Sequence, residues 1–252
     1  MRKIMMLTML LIPQIAFSLI SGTYPIDGVE YNLFEINGTV RVNSAKPGSS
    51  VRTISIPWSI NGIPVTSIAS GAFNNGNAHY DMIESITIPP SVVSIGYNAF
   101  SGCSALKTIT IPSGVTSIGD GAFAGCHELA SIDVVSNNAA YCSHDGILYD
   151  KAQKEIIKCP EGKCGAVKIV ESVTNIGRDA FSCCGGLTAI EISSSVRSVG
   201  KSAFSGCSGL ARVDIADLAD WCGIDFGDDY ANPLCYAKHL YVNGEAVSDL
   251  VV

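Results

Sequence analysis

Apolar and polar positions alternate in short stretches that recur along the chain. In residues 108–111 the letters TITI alternate threonine with isoleucine, which predicts a strand with one exposed and one buried face. Pro112 follows, and because proline has no N–H to donate, the strand should end there. A second short extended piece, residues 115–118, leads into Gly119, which we interpret as a turn glycine. Phe123 and Cys126 come next and should point inward.

This pattern is repeated at a nearly fixed interval. Near-copies occupy residues 86–103, 109–126, 167–184 and 190–207, and a divergent copy begins at Ile54. The repeated phenylalanines are Phe73, Phe100, Phe123, Phe181 and Phe204. Two of their intervals are 23 residues, one is 27 and one is 58. A period of this length is typical of a solenoid, in which stacked coils bury apolar residues that one coil cannot bury alone.

The repeat has the form I-x-I-P-x-x-V-x-x-I-G-x-x-A-F-x-x-C-x-x-L over roughly residues 51–215. It resembles the BspA-like leucine-rich repeat of bacterial surface proteins. The resemblance implies a β-rich leucine-rich-repeat solenoid, a right-handed coil of about 23 residues per turn with short strands, turns and 3-10 segments. It also implies an adhesin-like role, secreted or at the cell surface, toward host matrix proteins, neighbouring cells or glycans.

The N-terminus has the layout of a secretory signal peptide, which we assign to residues 1–18. Arg2 and Lys3 precede an apolar run that ends in small residues near Ser18. The run is short and interrupted by proline, which disfavours a membrane span, although an N-terminal anchor remains the alternative. No second hydrophobic span follows. We therefore expect an exported protein with no membrane span after leader removal.

Both ends of the solenoid (51–215) should carry hairpin caps, because an end coil would otherwise expose its core. Asn37-Gly38 predicts the hairpin turn of an N-terminal cap over residues 19–50, and Asn243-Gly244 predicts one in a C-terminal cap over 216–252. Residues 216–226 suggest a helical turn with an exposed Trp221. The final letters SDLVV resemble the first strand of an unfinished coil, which would leave an open edge.

The middle of the chain departs from the repeat. Residues 133–163 contain the runs GILYD and KEIIKCP, which predict an irregular hairpin insertion. We expect this hairpin to fold out from the solenoid and to pack on one of its edges.

Four of the ten cysteines follow the repeat phenylalanine by three residues: Cys103, Cys126, Cys184 and Cys207. They should form a column of reduced, buried thiols inside the coils. The alternative is oxidation of the neighbours 103/126 and 184/207, which would be within bonding distance. Off the column, Cys142–Cys159 and Cys222–Cys235 are possible pairs.

Composition and motifs exclude several functions. The net charge is -7 and no basic stripe is present, which argues against a nucleic-acid partner. No nucleophile elbow and no phosphate-binding loop occur, and Cys142, His144, Cys159 and Cys164 match structural zinc spacing poorly. We expect no catalytic, cofactor or metal residues, and therefore no enzyme.

The remaining candidates for function lie on the outward strand positions. Those expected to face a protein or glycan ligand are Thr87, Thr108, Thr110, Asp133, Lys168, Glu191, Arg212 and Asp214. The alternatives are that these residues are simply solvated strand positions, or that the chain is a structural subunit of a cell-envelope assembly. The sequence leaves the oligomeric state open.

Overall fold

A computed structural model describes residues 21–74 and 79–247 of the chain. The predicted leader (1–18) and the unfinished strand SDLVV (248–252) lie outside the described residues.

The fold consists of two stacks of short strands. The first stack, residues 21–74 and 79–134, contains β1 (Ser21–Ile26), β2 (Val29–Ile36), β3 (Thr39–Pro47), β4 (Thr53–Ser55), β5 (Ser59–Ile60), β6 (Ile63–Ile68), β7 (Ser85–Thr87), β8 (Ser94–Ile95), β9 (Thr108–Ile111), β10 (Ser117–Ile118) and β11 (Ser131–Val134). The second stack, residues 141–246, contains β12 (Tyr141–His144), β13 (Ile147–Asp150), β14 (Glu155–Lys158), β15 (Gly165–Lys168), β16 (Asn175–Ile176), β17 (Leu187–Ile192), β18 (Ser198–Val199), β19 (Arg212–Ile215), β20 (Asp225–Phe226), β21 (His239–Val242) and β22 (Glu245–Ala246). Among the residues that the structure describes, the helical pieces are α1 (Leu218–Cys222) and three 3-10 turns, Tyr80–Met82, Asp229–Ala231 and Pro233–Cys235.

Each stack is built from two sheets of parallel coil strands. In the first stack β3, β6, β8 and β10 form one sheet, and β4, β7, β9 and β11 form the other. In the second stack β14, β16, β18 and β20 form one sheet, and β15, β17, β19 and β21 form the other. Directly paired residues, such as Thr108 and Ser131, are one repeat apart. The chain is a β-solenoid of about nine turns with about 23 residues per turn, as predicted.

The middle segment is part of the stack and does not fold out from it. β12, β13 and β14 form an antiparallel three-stranded sheet, here called the middle meander, and β14 then pairs in parallel with β16. Tyr149 and Ile156 are fully buried. The expectation of an external hairpin is wrong because these apolar residues cover the end of the second stack.

The middle meander repeats the architecture of the N-terminal cap. β1, β2 and β3 also form an antiparallel sheet whose last strand joins the coils, through β6. Asp27-Gly28 and Asp145-Gly146 make equivalent turns with positive φ at both residues. The N-terminal cap thus contains the expected hairpin at Asn37-Gly38 and one further strand, β1.

The repeat phenylalanines line the interior, but in two separate rows. Phe73, Phe100 and Phe123 stack with centroid distances of 5.1 and 5.8 Å, and Phe181 stacks on Phe204 at 5.0 Å. Between these rows the position of the phenylalanine is taken by Cys159. Its N–H donates to the carbonyl of Ala180.

All ten cysteines are free thiols in this structure. Cys103, Cys126, Cys184 and Cys207 are fully buried, as is Cys159. The expected pairing of Cys159 with Cys142 is not formed, because both are free thiols. Cys222 and Cys235 are exposed and are not bonded to each other.

Gly119 is required for a different reason from the one inferred. It is not among the positive-φ residues. A Cβ at this position would lie 2.4 Å from the backbone nitrogen of Tyr97 in the preceding coil, so only glycine allows the two coils to approach. The predicted turn conformation is not what selects glycine here.

The C-terminal cap contains the expected helical turn and hairpin. The carboxylate of Asp217 accepts from the N–H of Ala219 and caps α1. Asn243-Gly244 connects β21 and β22 with positive φ at both residues. Trp221, expected to be exposed, is buried against Phe226 at a centroid distance of 5.2 Å, because α1 covers the last coil.

Candidate functional site

The first stack presents a polar strand face. This face is the outward side of β4, β7, β9 and β11, where Thr87, Thr108, Thr110 and Asp133 are exposed. Thr110 lies directly beside Asp133, and Thr108 lies between Ser85 and Ser131. Within the described residues the three threonine hydroxyls make no intramolecular hydrogen bond, so they are available to a ligand or to water.

In the second stack the charged residues of the same face pair with one another. Lys168 Nζ lies 2.7 Å from Glu191 Oε1, and this contact raises the pKa of Lys168. Arg212 Nε donates to Asp214 Oδ2 at 2.6 Å, and its guanidinium lies 3.7 Å from the ring centroid of Tyr241. These four candidate residues are brought together as two internal ion pairs, which leaves less free charge for a ligand than the sequence suggests.

The residues described by the structure show no metal-ligand group of three or more His, Cys, Asp and Glu side chains. Cys142, His144, Cys159 and Cys164 therefore form no such group. In the same part of the chain no helix has the length and apolar character to cross a membrane.

A second candidate site, not anticipated from the sequence, is a cleft at the junction of the two stacks. Its volume is about 520 Å³, within the range of ligand pockets. It is lined by residues 97–98, residues 118–125, Leu148, residues 157–158, Glu161, residues 178–179 and residues 182–183. In the other coils, the loop that contains the repeat Ala-Phe pair, such as residues 119–125, contacts the same loop of the neighbouring coil. The chain after β14 lacks this loop, which leaves the cleft open.

Two charged side chains fill part of the missing loop. Lys158 Nζ donates to the carbonyls of Asp179 at 3.2 Å and Ser182 at 3.1 Å. Glu161 is almost completely buried, and its Oε1 accepts from the N–H of Gly125 at 2.9 Å. Its Oε2 lies 3.0 Å from His127 Nδ1. The carboxylate therefore joins the two stacks at the inner end of the cleft.

The sequence carried one signal for this cleft. The interval of 58 residues between Phe123 and Phe181 is not a multiple of the repeat, and the segment KCPEGK within it contains Lys158 and Glu161. Charged residues at core-adjacent positions of an otherwise weakly charged repeat indicate a place where the coil is incomplete.

Comparison with protein families gives a match over more than half of the chain. The model for the BspA type leucine-rich repeat region matches six copies, over residues 66–145 and 158–220. The chain belongs to the BspA-type leucine-rich repeat family. Residues 146–157, which the family match leaves out, contain β13 and most of β14. The cleft thus borders the one internal stretch where the BspA-type repeat is interrupted.

Several solved structures resemble this BspA-type chain. The leucine-rich repeat protein TpLRR of T. pallidum is 22% identical, with a TM-score of 0.53, over 84% of this chain and 92% of that one. The pneumococcal vaccine antigen PcpA is 16% identical, with a TM-score of 0.49, over 88% and 82%. A leucine-rich cell surface protein of Faecalibacterium prausnitzii A2-165 is 20% identical, with a TM-score of 0.37, over 82% and 85%. The likeness to TpLRR shows the solenoid fold. The comparison with curated proteins found no match.

Proposed function

We propose that this chain is an exported, non-enzymatic repeat protein that binds a protein or glycan at the bacterial cell surface. The observation that carries the proposal is the polar strand face of the first stack. Rows of hydroxyl-bearing side chains are held in register on parallel strands and face solvent. Such a surface can donate and accept hydrogen bonds along an extended ligand. The leader-like N-terminus and the membership of the BspA-type family support export and a surface location.

A binding screen tests this proposal. The chain without residues 1–18 is assayed against a panel of host matrix proteins and glycans. We expect at least one saturable binder at micromolar concentration. The absence of any saturable binder would contradict the proposal.

Variants then locate the binding surface. Thr87→Glu combined with Thr110→Glu places two carboxylates on the strand face and should weaken binding at least tenfold. Thr116→Glu is the matched control, because Thr116 is also exposed but lies outside the strand face. If the Thr87→Glu/Thr110→Glu variant and the Thr116→Glu variant bind the ligand equally well, the strand face is not the binding surface.

A second candidate function is that of a structural subunit of a cell-envelope assembly. It is favoured by β1, which pairs with β2 on one side and has no strand partner on the other within the described residues. A free edge of six residues is a template for pairing with another chain. Light scattering distinguishes the candidates, since a monomer at all concentrations would remove this one.

A further inference from the structure

Neighbouring coils are joined by a regular ladder of loop hydrogen bonds. In the first stack, alternate N–H groups donate to the next coil, from Asn98 to Asp120, from Phe100 to Ala122 and from Gly102 to Ala124. In the second stack, the corresponding bonds run from Asp179 to Lys201, from Phe181 to Ala203 and from Cys183 to Ser205. In each of these two loops, three donors are thus satisfied by the coil that follows.

The C-terminal cap also satisfies the three donors of the last loop. The N–H of Ser202 donates to the carboxylate of Asp228, and that of Phe204 donates to the carbonyl of Tyr230. The N–H of Gly206 donates to the Tyr236 hydroxyl at 2.8 Å. The end of the second stack is therefore closed.

The end of the first stack is not closed in this way. Of its three loop donors, only Gly125 has an acceptor, the carboxylate of Glu161. Within the described residues nothing accepts from the N–H of Gly121 or Phe123, and both residues line the cleft. Two backbone donors in one loop, two residues apart, therefore lack the partners that their counterparts have at every other level. Because the acceptor groups of a ligand can replace water at these donors, the donors mark a place for acceptors.

We propose that the cleft is a second binding site, which takes a short peptide segment of a partner protein. Carbonyls of alternate peptide residues accept from Gly121 and Phe123, as the next coil would. This is the backbone pairing by which extended peptides add to an exposed edge. One hydrophobic side chain of the peptide lies on the apolar wall made by Phe123, Leu148 and Ile157.

The charges of the cleft favour a neutral acceptor. Asp120, Asp179 and Glu161 line it, so an anionic ligand would meet carboxylates close to the free donors. Arg178 also lines the cleft, but it is paired with Asp179 at 3.3 Å. Lys158 is already bonded to two carbonyls. Peptide carbonyls accept hydrogen bonds without adding negative charge. None of the residues that line the cleft belongs to the strand face, so this site is separate from the one proposed above.

The first test pans a phage-displayed library of seven-residue peptides against the full chain. We expect enriched peptides that share one hydrophobic residue at a fixed place. Ser182→Trp fills the cleft and should weaken their binding at least tenfold. Ser205→Trp, at the same loop position one coil later and away from the cleft, should leave binding within twofold. Circular dichroism checks that both variants are folded.

A second pair of variants tests the same cleft in case Ser182→Trp or Ser205→Trp does not fold. Asp120→Trp narrows the cleft mouth, where the corresponding position one coil earlier is the aromatic Tyr97. Lys201→Trp is its control at the same loop position of the second stack. The strand-face variant Thr87→Glu/Thr110→Glu should bind the peptides normally, which separates failure of this proposal from failure of the strand-face proposal.

Amide hydrogen exchange gives a residue-level readout. Saturating enriched peptide should slow exchange at Gly121 and Phe123, whereas Asn98 and Phe100 are already bonded in the free protein. Failure to enrich any peptide, equal peptide binding by Ser182→Trp, or protection confined to other residues would overturn the proposal. So would an oligosaccharide that binds in place of peptides and is lost in Ser182→Trp.

Discussion

Phe100 stacks between two other repeat phenylalanines, with Phe73 on one side and Phe123 on the other. Its side chain is fully buried, whereas Thr110 on β9 is exposed. Truncating a buried aromatic leaves a cavity, so Phe100→Ala should lower the free energy of unfolding by about 3–5 kcal/mol. Thr110→Ala should change it by no more than about 0.5 kcal/mol. Urea denaturation followed by circular dichroism compares them, and equal losses would contradict the assignment of the two faces.

The cysteines should divide sharply by reactivity. Burial raises the pKa of Cys103 and Cys207 to about 12, and it also raises the pKa of Cys126 and Cys159. The thiolate is the reactive form, so these thiols should be inert at pH 8. With a chromogenic disulfide reagent we expect fast reaction of the exposed cysteines Cys164, Cys183 and Cys222. Cys235 is exposed too but should react more slowly, because partial burial and the nearby Asp229 raise its pKa.

The buried thiols should react only after the protein unfolds in urea. Fast reaction of more than five thiols in the folded protein would contradict the buried column, since Cys142, which is half-buried, is the only other candidate for partial reaction.

The spacing between coils depends on glycines such as Gly119. A Cβ there would lie 2.4 Å from a backbone nitrogen and 2.7 Å from a backbone carbon, neither of which can move without shifting a coil. Gly119→Ala should therefore cost about 1–3 kcal/mol, as overpacking does. Gly223→Ala is the control, because its Cβ would make only contacts of 3.4 Å or more at a negative φ. Thermal melts of both variants test this, and equal midpoints would refute the close-approach explanation.

The C-terminal cap depends on a carboxylate. Hydrogen bonds from the backbone N–H of Ser202 hold the pKa of Asp228 below its ordinary value. A carboxyl whose pKa is lower in the folded state stabilises the fold above its unfolded pKa. That contribution is lost as the pH falls through the lowered pKa.

Asp228→Asn should accordingly be less stable than the parent protein at pH 7, and the difference should vanish toward pH 2. Asp225→Asn, an exposed change in the same cap, should leave the pH profile unaltered. Urea midpoints measured across this pH range give the comparison. A constant difference between Asp228→Asn and the parent protein would show that the carboxylate charge is not involved.

Elements that follow the repeat were predictable, and elements that interrupt it were not. The TITI strand, its outward threonines and the inward Phe123 follow from alternation and a fixed period. The middle meander lacks the repeat pattern, so its runs predicted only a hairpin. Its place in the stack is set by long-range packing of Tyr149 and Ile156, which local sequence does not encode. The cleft was missed for the same reason, because it arises where a loop is absent.

At the scale of the whole molecule, one strand places side chains in the interiors of both stacks. Leu148 on β13 packs in the interior of the first stack, whereas its neighbours Ile147 and Tyr149 pack in the interior of the second. All three are buried. Stability in a solenoid is approximately the sum of its units and the contacts between neighbours. β13 therefore supplies part of the coupling between the stacks, because it places alternate side chains in both interiors.

Coupling through β13 can be measured with Trp221, which is buried in the second stack. All proteins in the comparison carry Trp58→Phe, so that the fluorescence reports unfolding of the second stack alone. In the parent protein the fluorescence curve should coincide with the circular dichroism curve of the whole chain. Leu148→Ala should lower the stability of the first stack by about 2–5 kcal/mol and separate the two curves, with Trp221 unfolding last. Leu106→Ala, a buried change within the first stack and away from the junction, should lower both midpoints together. Separate unfolding curves in the parent protein, or coincident curves in Leu148→Ala, would mean that Leu148 on β13 does not couple the unfolding of the two stacks.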